Sequence, residues 1–359
     1  MMGDIVWGWQ PALYLFLGGM GAGAFLTMGT LFFRRKNINR LYLAAIATAA
    51  LASIAIGLLL LLSELINPLR GLMMWQSFSH FTSWMTIGAW LAFCSMVAFA
   101  ICAILLVGPK GRWARDVASR PVRVDGILRV VIVVGMVLAF GVAVYTGMLL
   151  MEAPGVPFWN TPLLPCLFTV SAIDTGVALV ELMGLCHWRD GALRSSDSGF
   201  LGRVTIGLIV IESVLVVALM FSSLQNSDSA SYVSAHLLLN GSYTAAFWIL
   251  FVGIGLVVPA FAAFRALLRS KAAPDATSNG ADGSAEDGDL LQVPGDPSRS
   301  DARQEGRPEP SRPLRSEPSG SILVSAWGVL IGGCTLRFLI LLVGVHGELV
   351  ASTLSLLQL

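Results

Sequence analysis

FWNTPLLPCLFTVSAIDTGVALVELMGL, residues 158–185, decides what kind of protein this is. About 20 mostly apolar residues in a row suffice for a helix to cross the hydrocarbon of a bilayer, and this stretch is long enough. Yet Asp174 stands near its middle and Glu181 two turns later. A carboxyl at the centre of a bilayer helix costs at least ~2.5–3.5 kcal/mol on the insertion scale. The two acids are seven residues apart, about 20° short of two full turns, so both point the same way roughly 10 Å apart along the axis.

The rest of the chain has the same character. Its 359 residues are 55% hydrophobic and 13% charged, with a mean hydropathy of +0.75; a soluble domain carries about 25% charged residues. The net charge of +1 hides an uneven layout, because residues 271–320 hold six Lys/Arg against ten Asp/Glu. The five cysteines (Cys94, Cys102, Cys166, Cys186, Cys334) form no CxxC. That spacing excludes an ordinary cysteine-ligated iron–sulfur cluster, a c-type haem attachment and a zinc knuckle in this chain. His80, His236 and His346 fall at one set of helix ends and His187 at the other, which argues against a haem held by two histidines. No metal ligand set and no catalytic residue is expected. The first apolar run ends in FFRRK without a basic segment before it, which reads as an uncleaved anchor.

Hydropathy predicts an all-α membrane protein, a bundle of eight transmembrane helices near 11–33, 41–63, 81–107, 127–151, 163–187, 204–223, 242–267 and 321–345. The loops then orient it. Arg34, Arg35, Lys36 and Arg40 follow the first span, and Lys110, Arg112, Arg115, Arg120, Arg123 and Arg129 follow the third. Arg189, Arg194 and Arg203 follow the fifth, and Arg265, Arg269 and Lys271 the seventh, while the opposite loops carry Arg70 alone. Short basic loops stay in the cytoplasm, so both termini are expected outside. Residues 1–270 then form a seven-helix membrane region, 271–320 a cytoplasmic linker, and 321–359 the eighth span with an outer tail. The linker is rich in Pro, Gly, Ser and Asp, too poor in large apolar residues to fold, and reads as a disordered tether.

Polar side chains gather towards the outer side. Tyr14 lies just inside the first span beside Gln10, Tyr145 in the outer part of the fourth, and Arg337 ~15 residues into the eighth. The outer loops add Glu64, Asn67, Arg70 and His80 between spans two and three, and Glu152 and Asn160 between spans four and five. Gln10, Tyr14, Asn67, Arg70, His80, Tyr145, Asn160 and Arg337 are the candidates for holding a polar headgroup with an apolar tail. Trp7, Trp9, Trp75, Trp84 and Trp159 cluster at the same face, as an interfacial aromatic belt does. Asp174, Glu181 and Glu212, midway along the sixth span, make a ladder suited to a proton relay; the plainer alternative is three interhelical hydrogen bonds. SWMTIG (83–88) and SAIDTG (171–176) share S-x4-G, a faint sign of a duplicated helical hairpin.

These residues carry a likeness. YLFLGGMGAGAF (14–25), the E-L-x-x-P-x-R turn (64–70) with SWMTIGAW after it, YTGMLL (145–150), PFWNTPLLPCLFTVSA (157–172) and GGCTLRFLILLVG (332–344) together resemble the NrfD/PsrC family, integral-membrane subunits of polysulfide-reductase-like molybdoenzyme complexes. The resemblance implies an eight-helix bundle in the cell (cytoplasmic) membrane that binds menaquinone or another quinone near its outer face. It would pass electrons between menaquinol and a four-cluster ferredoxin-like iron–sulfur subunit serving a molybdopterin catalytic subunit, with proton translocation as an extension. In the family a polar residue of the first helix and the tyrosine of the fourth hold the quinone headgroup, positions that fall on Tyr14 and Tyr145. Some members carry histidine at the first of these, and here Gln10 can share the role. Glu64 stands where Asp is commoner, and Asn67 where the family has a small residue. Lipid is the remaining partner, and no nucleic acid is expected. A purely structural anchor and a proton-coupled transporter are the competing readings. Pro and Gly interruptions at the outer helix ends, not in two matching half-helices, disfavour the transporter.

Overall fold

The computed structural model describes residues 9–35, 38–63, 84–107, 121–153, 155–186, 195–225, 230–272 and 320–344. Expectations for Glu64, Asn67, Arg70, His80 and nearly all of the 271–320 linker lie outside the described residues. In chain order the elements are α1 (Trp9–Arg34), α2 (Arg40–Ser63), α3 (Trp84–Val107), α4 (Pro121–Met151), α5 (Leu163–Cys186), α6 (Ser195–Gln225) and a short α7 (Ala230–Leu239). A π-helical run (Ala246–Val257) follows, leading straight into α8 (Val258–Ala272), and α9 (Gly320–Leu342) comes last. Among the described residues eight helices are long and apolar enough to cross a membrane. Helices win because lipid offers a backbone N–H or C=O no partner, so each segment must satisfy its own.

The spans do not share burial equally. In α5 72% of the apolar window is buried and in α1 67%, against 33–39% for the spans formed by α2, α3, α4, α6 and the π/α8 segment. The fold is therefore built around an α1/α5 pair. On one side α2, α3 and α4 close a core of Phe25, Met28, Tyr42, Phe99 and Ile132. On the other, α6, α7, the π run and α9 close a second core around Leu15, Phe168, Phe251 and Leu336. The central pair crosses at Gly23 and Gly176, where a Cβ on either residue would run into the backbone of the other helix. Small residues at a crossing let two helices in lipid approach closely enough to gain dispersion contacts. The outward faces carry Ile104, Val137, Val217 and Phe221, all at least 64% exposed. Such continuous apolar surface suits a hydrocarbon solvent.

Hydropathy and structure differ at two places. Residues 230–239 are expected as loop and form α7, whose Ser234 hydroxyl donates to Val343 O at 2.7 Å. Ten residues are too few to span, so a hydropathy window passes over them. The seventh span begins as π-helix, a register that closes with the Val258 N–H reaching Gly253 O. The next residue, Pro259, has no N–H to give.

Two ends of the bundle are distinguishable. At the first, where α1, α5 and the π run start and α2, α4 and α9 finish, the Trp159 indole N–H donates to Ile340 O at 2.9 Å. Trp159 is wholly buried, so it pins the turn before α5 onto α9 and is not a belt residue. At the second, Arg35 pairs with Asp197 at 2.7 Å, Arg34 covers the Phe200 ring at 4.1 Å, and the Tyr42 hydroxyl donates to Val180 O at 2.8 Å.

Candidate functional site

Polar groups run through the interior from one end to the other. At the first end Tyr14 of α1 and Tyr145 of α4, each buried, share a side-chain hydrogen bond. Their meeting depends on Gly88 of α3, because a Cβ there would run into the Tyr145 ring. On the other flank the Tyr14 ring packs against α2 at Gly57. Gln10, one turn before Tyr14 at the start of α1, is half-buried, and Asn160 is exposed in the turn before α5.

Arg337 comes next. Its guanidinium is wholly buried and wrapped by carbonyls. Nε donates to Leu15 O at 3.2 Å, Nη1 to Gly333 O at 2.9 Å and to the Ser171 hydroxyl at 3.1 Å, and Nη2 to Phe168 O at 3.5 Å. The Phe16 and Phe168 rings lie 5.8 Å and 5.3 Å from the guanidinium carbon. Arginine suits this place because its planar fork can serve several acceptors at once. Its bond to Leu15 O fixes the residue next to Tyr14, while the fork itself turns towards α5.

Ser171 passes the contact on. It accepts from Arg337 and is the side-chain hydrogen-bond partner of Glu212. Glu212 and Asp174 are both buried and close enough to feel each other's charge. Glu212 Oε1 and Asp174 Oδ1 have no hydrogen-bond partner among the described residues. Glu181, almost two turns beyond, is buried as well and within electrostatic reach of both Asp174 and Tyr42. Tyr42 in turn feels Asp197, which closes the string at the Arg35 ion pair.

The fold therefore brings together Tyr14 with Tyr145, and Arg337 with Glu212, which Asp174 senses in turn, with Glu181 further along. Asn160 stays at the surface. Ser171, Tyr42 and the Arg35–Asp197 pair are not among the candidate site residues that the sequence offers, although Ser171 opens the S-x4-G motif and Arg35 helps to orient the chain. Ser171 was legible, since it precedes Asp174 by three residues and so shares its helix face. Tyr42 and Arg35–Asp197 left no local signal, because each finds its partner on a helix far along the chain.

Comparison with known proteins follows the same lines. A family model described as "Polysulphide reductase, NrfD" matches residues 1–273. A polysulfide reductase component of Wolinella succinogenes is 30% identical over 269 residues, covering 71% of this protein and 82% of that one. Protein NrfD of Escherichia coli K12 is 29% identical over 273 residues, covering 71% and 83%. A selenate reductase subunit of Mesobacillus selenatarsenatis is 25% identical over 286 residues, covering 70% and 65%.

Proposed function

The chain is a multi-pass membrane protein of the NrfD polysulphide reductase family, and from that premise we propose that it is the quinone-reactive subunit of a membrane-bound reductase complex. The observation that carries the reading is the Tyr14–Tyr145 hydroxyl pair, buried between α1 and α4 at the end of a polar string. Two phenols that satisfy each other in an apolar setting can each turn to a carbonyl oxygen instead, which is the donor set that a quinone headgroup requires. Tyr14 and Tyr145 would hold the headgroup, with Gln10 beside them. Asn67, Arg70, His80 and Asn160 would line the approach from the same end, and Arg337 would hold α1, through Leu15, against the pocket.

A quinol supplies two electrons and two protons. The residues of this protein would act on the protons: the phenols orient the hydroxyls, and Asp174, Glu181 and Glu212 carry or buffer protons behind them. The electrons would go to or from a four-cluster ferredoxin-like iron–sulfur subunit docked at the tyrosine end, which serves a molybdopterin catalytic subunit. Two of the relatives are named as parts of a polysulfide reductase and a selenate reductase, which supports membership in such an assembly. The basic loops favour an orientation with that end outside the cell membrane and residues 271–320 in the cytoplasm as a tether.

The test is quinol-dependent reduction of the partner subunit in the assembled complex. Tyr14→Phe and Tyr145→Phe should each slow it while leaving assembly intact. One lost hydrogen bond is worth about 0.5–1.5 kcal/mol, or roughly a factor of two to ten, and more if it strands a buried group. Full activity in both variants would remove the headgroup assignment and leave a structural anchor as the better description.

A further inference from the structure

Two acids and one base meet inside the bundle, and their charges do not cancel. Asp174 on α5, Glu212 on α6 and Arg337 on α9 are 2%, 3% and 0% exposed. Arg337 reaches Glu212 through the Ser171 hydroxyl, which accepts from the guanidinium and bonds onward to the carboxylate. That pairing balances one negative charge. It leaves Glu212 Oε1 and Asp174 Oδ1, two buried acceptors without partners among the described residues, on two acids that sense each other.

Were both acids ionised, the three groups would carry one uncompensated negative charge away from water, which burial penalises heavily. A single monovalent cation would cancel it. A hydron needs only the two orphan oxygens, covalently bound to one and hydrogen-bonded by the other, as carboxyl pairs share a proton elsewhere. Of the other titratable groups, Glu181 further along α5 is sensed by Asp174, and Cys334 on α9 is sensed by Arg337. Neither the acid nor the thiol brings a positive charge, so Arg337 is the cation left to the pair.

We propose that Asp174 and Glu212 form a storage site for one exchangeable proton, with Arg337 as its fixed counter-charge. Release leaves two carboxylates facing the guanidinium, and uptake restores one acid and one carboxylate. The inference deepens the proton role proposed above and rests on the same acids, but it fixes a number, one proton per pair, that a path alone does not.

Infrared spectroscopy of the full-length protein in detergent at neutral pH reads that number without turnover. Glu181→Gln serves as the background, so that the third buried acid is silent. In it we expect one deuterium-sensitive protonated-carboxyl band. Adding Asp174→Asn or Glu212→Gln should each abolish it, because either remaining carboxylate then balances Arg337 alone. Two bands in the background, each removed by one substitution, would overturn the proposal in favour of two neutral acids; no band would overturn it in favour of two carboxylates. The band count in the background needs no further variant to fold. Failure of the quinone assignment leaves the count unchanged, so the two readings fail separately.

Discussion

Ser171 shows how much one small hydroxyl can hold together. It is the link between the guanidinium of Arg337 and Glu212, so Ser171→Ala should strand a buried carboxylate and a buried donor together. The expected loss of stability is about 1–3 kcal/mol, measured as a lower midpoint of thermal unfolding in detergent; an unchanged midpoint would show that the bridge contributes nothing. The acids call for a different measurement. Asn and Gln keep size and hydrogen bonding while removing the titratable proton. In sealed vesicles Asp174→Asn and Glu181→Gln should therefore impair proton movement more than quinone affinity. Normal turnover with normal proton stoichiometry in both would make the acids packing residues. That Asp174 and Glu181 share a face was legible from their spacing, and both are indeed buried. The partners of Arg337 were not legible: a lone arginine in an apolar span announces that it needs acceptors, and only packing selects Leu15, Ser171, Gly333 and Phe168.

Among the elements, α3 contributes to the tyrosine pair by what it lacks. Gly88 leaves the space that the Tyr145 ring occupies. Gly88→Ala should push that ring away from Tyr14 and lower quinol-dependent turnover at least as far as Tyr145→Phe does, with the complex still assembled. Gly199 on α6 is the control, since a Cβ there meets nothing within 4 Å. Gly199→Ala should leave turnover unchanged and add roughly 0.5–1 kcal/mol of stability, because glycine loses the most chain freedom in a helix. Turnover unaffected by Gly88→Ala would mean that the ring has another place to go. The long spans were readable because twenty apolar residues have few other fates in water. The short α7 and the π run were not, since one is set by the Ser234 bond to the residue just after α9 and the other by close packing of Gly255 on Gly332.

For the whole molecule the first prediction is topological. Reporters fused at Gly280 and at the C-terminus should report opposite sides of the membrane, because the basic loops all follow odd-numbered spans. The same side for both would remove the eight-span arrangement. The sequence by itself determined that the protein is helical, that it lives in lipid and that eight segments are long and apolar enough to cross it. Those properties follow from the length of apolar runs and the demand that every backbone group be satisfied locally. It also marked the polar residues worth watching, because a carboxyl or guanidinium in hydrocarbon is too costly to be incidental. Which of them meet was decided only by tertiary structure. Apolar spans attract one another with little selectivity in lipid, and the choice falls to small-residue contacts such as Gly23 on Gly176. That crossing makes α1 and α5 the centre, and α9, arriving from residue 320 onward, completes the interior by setting Arg337 against both.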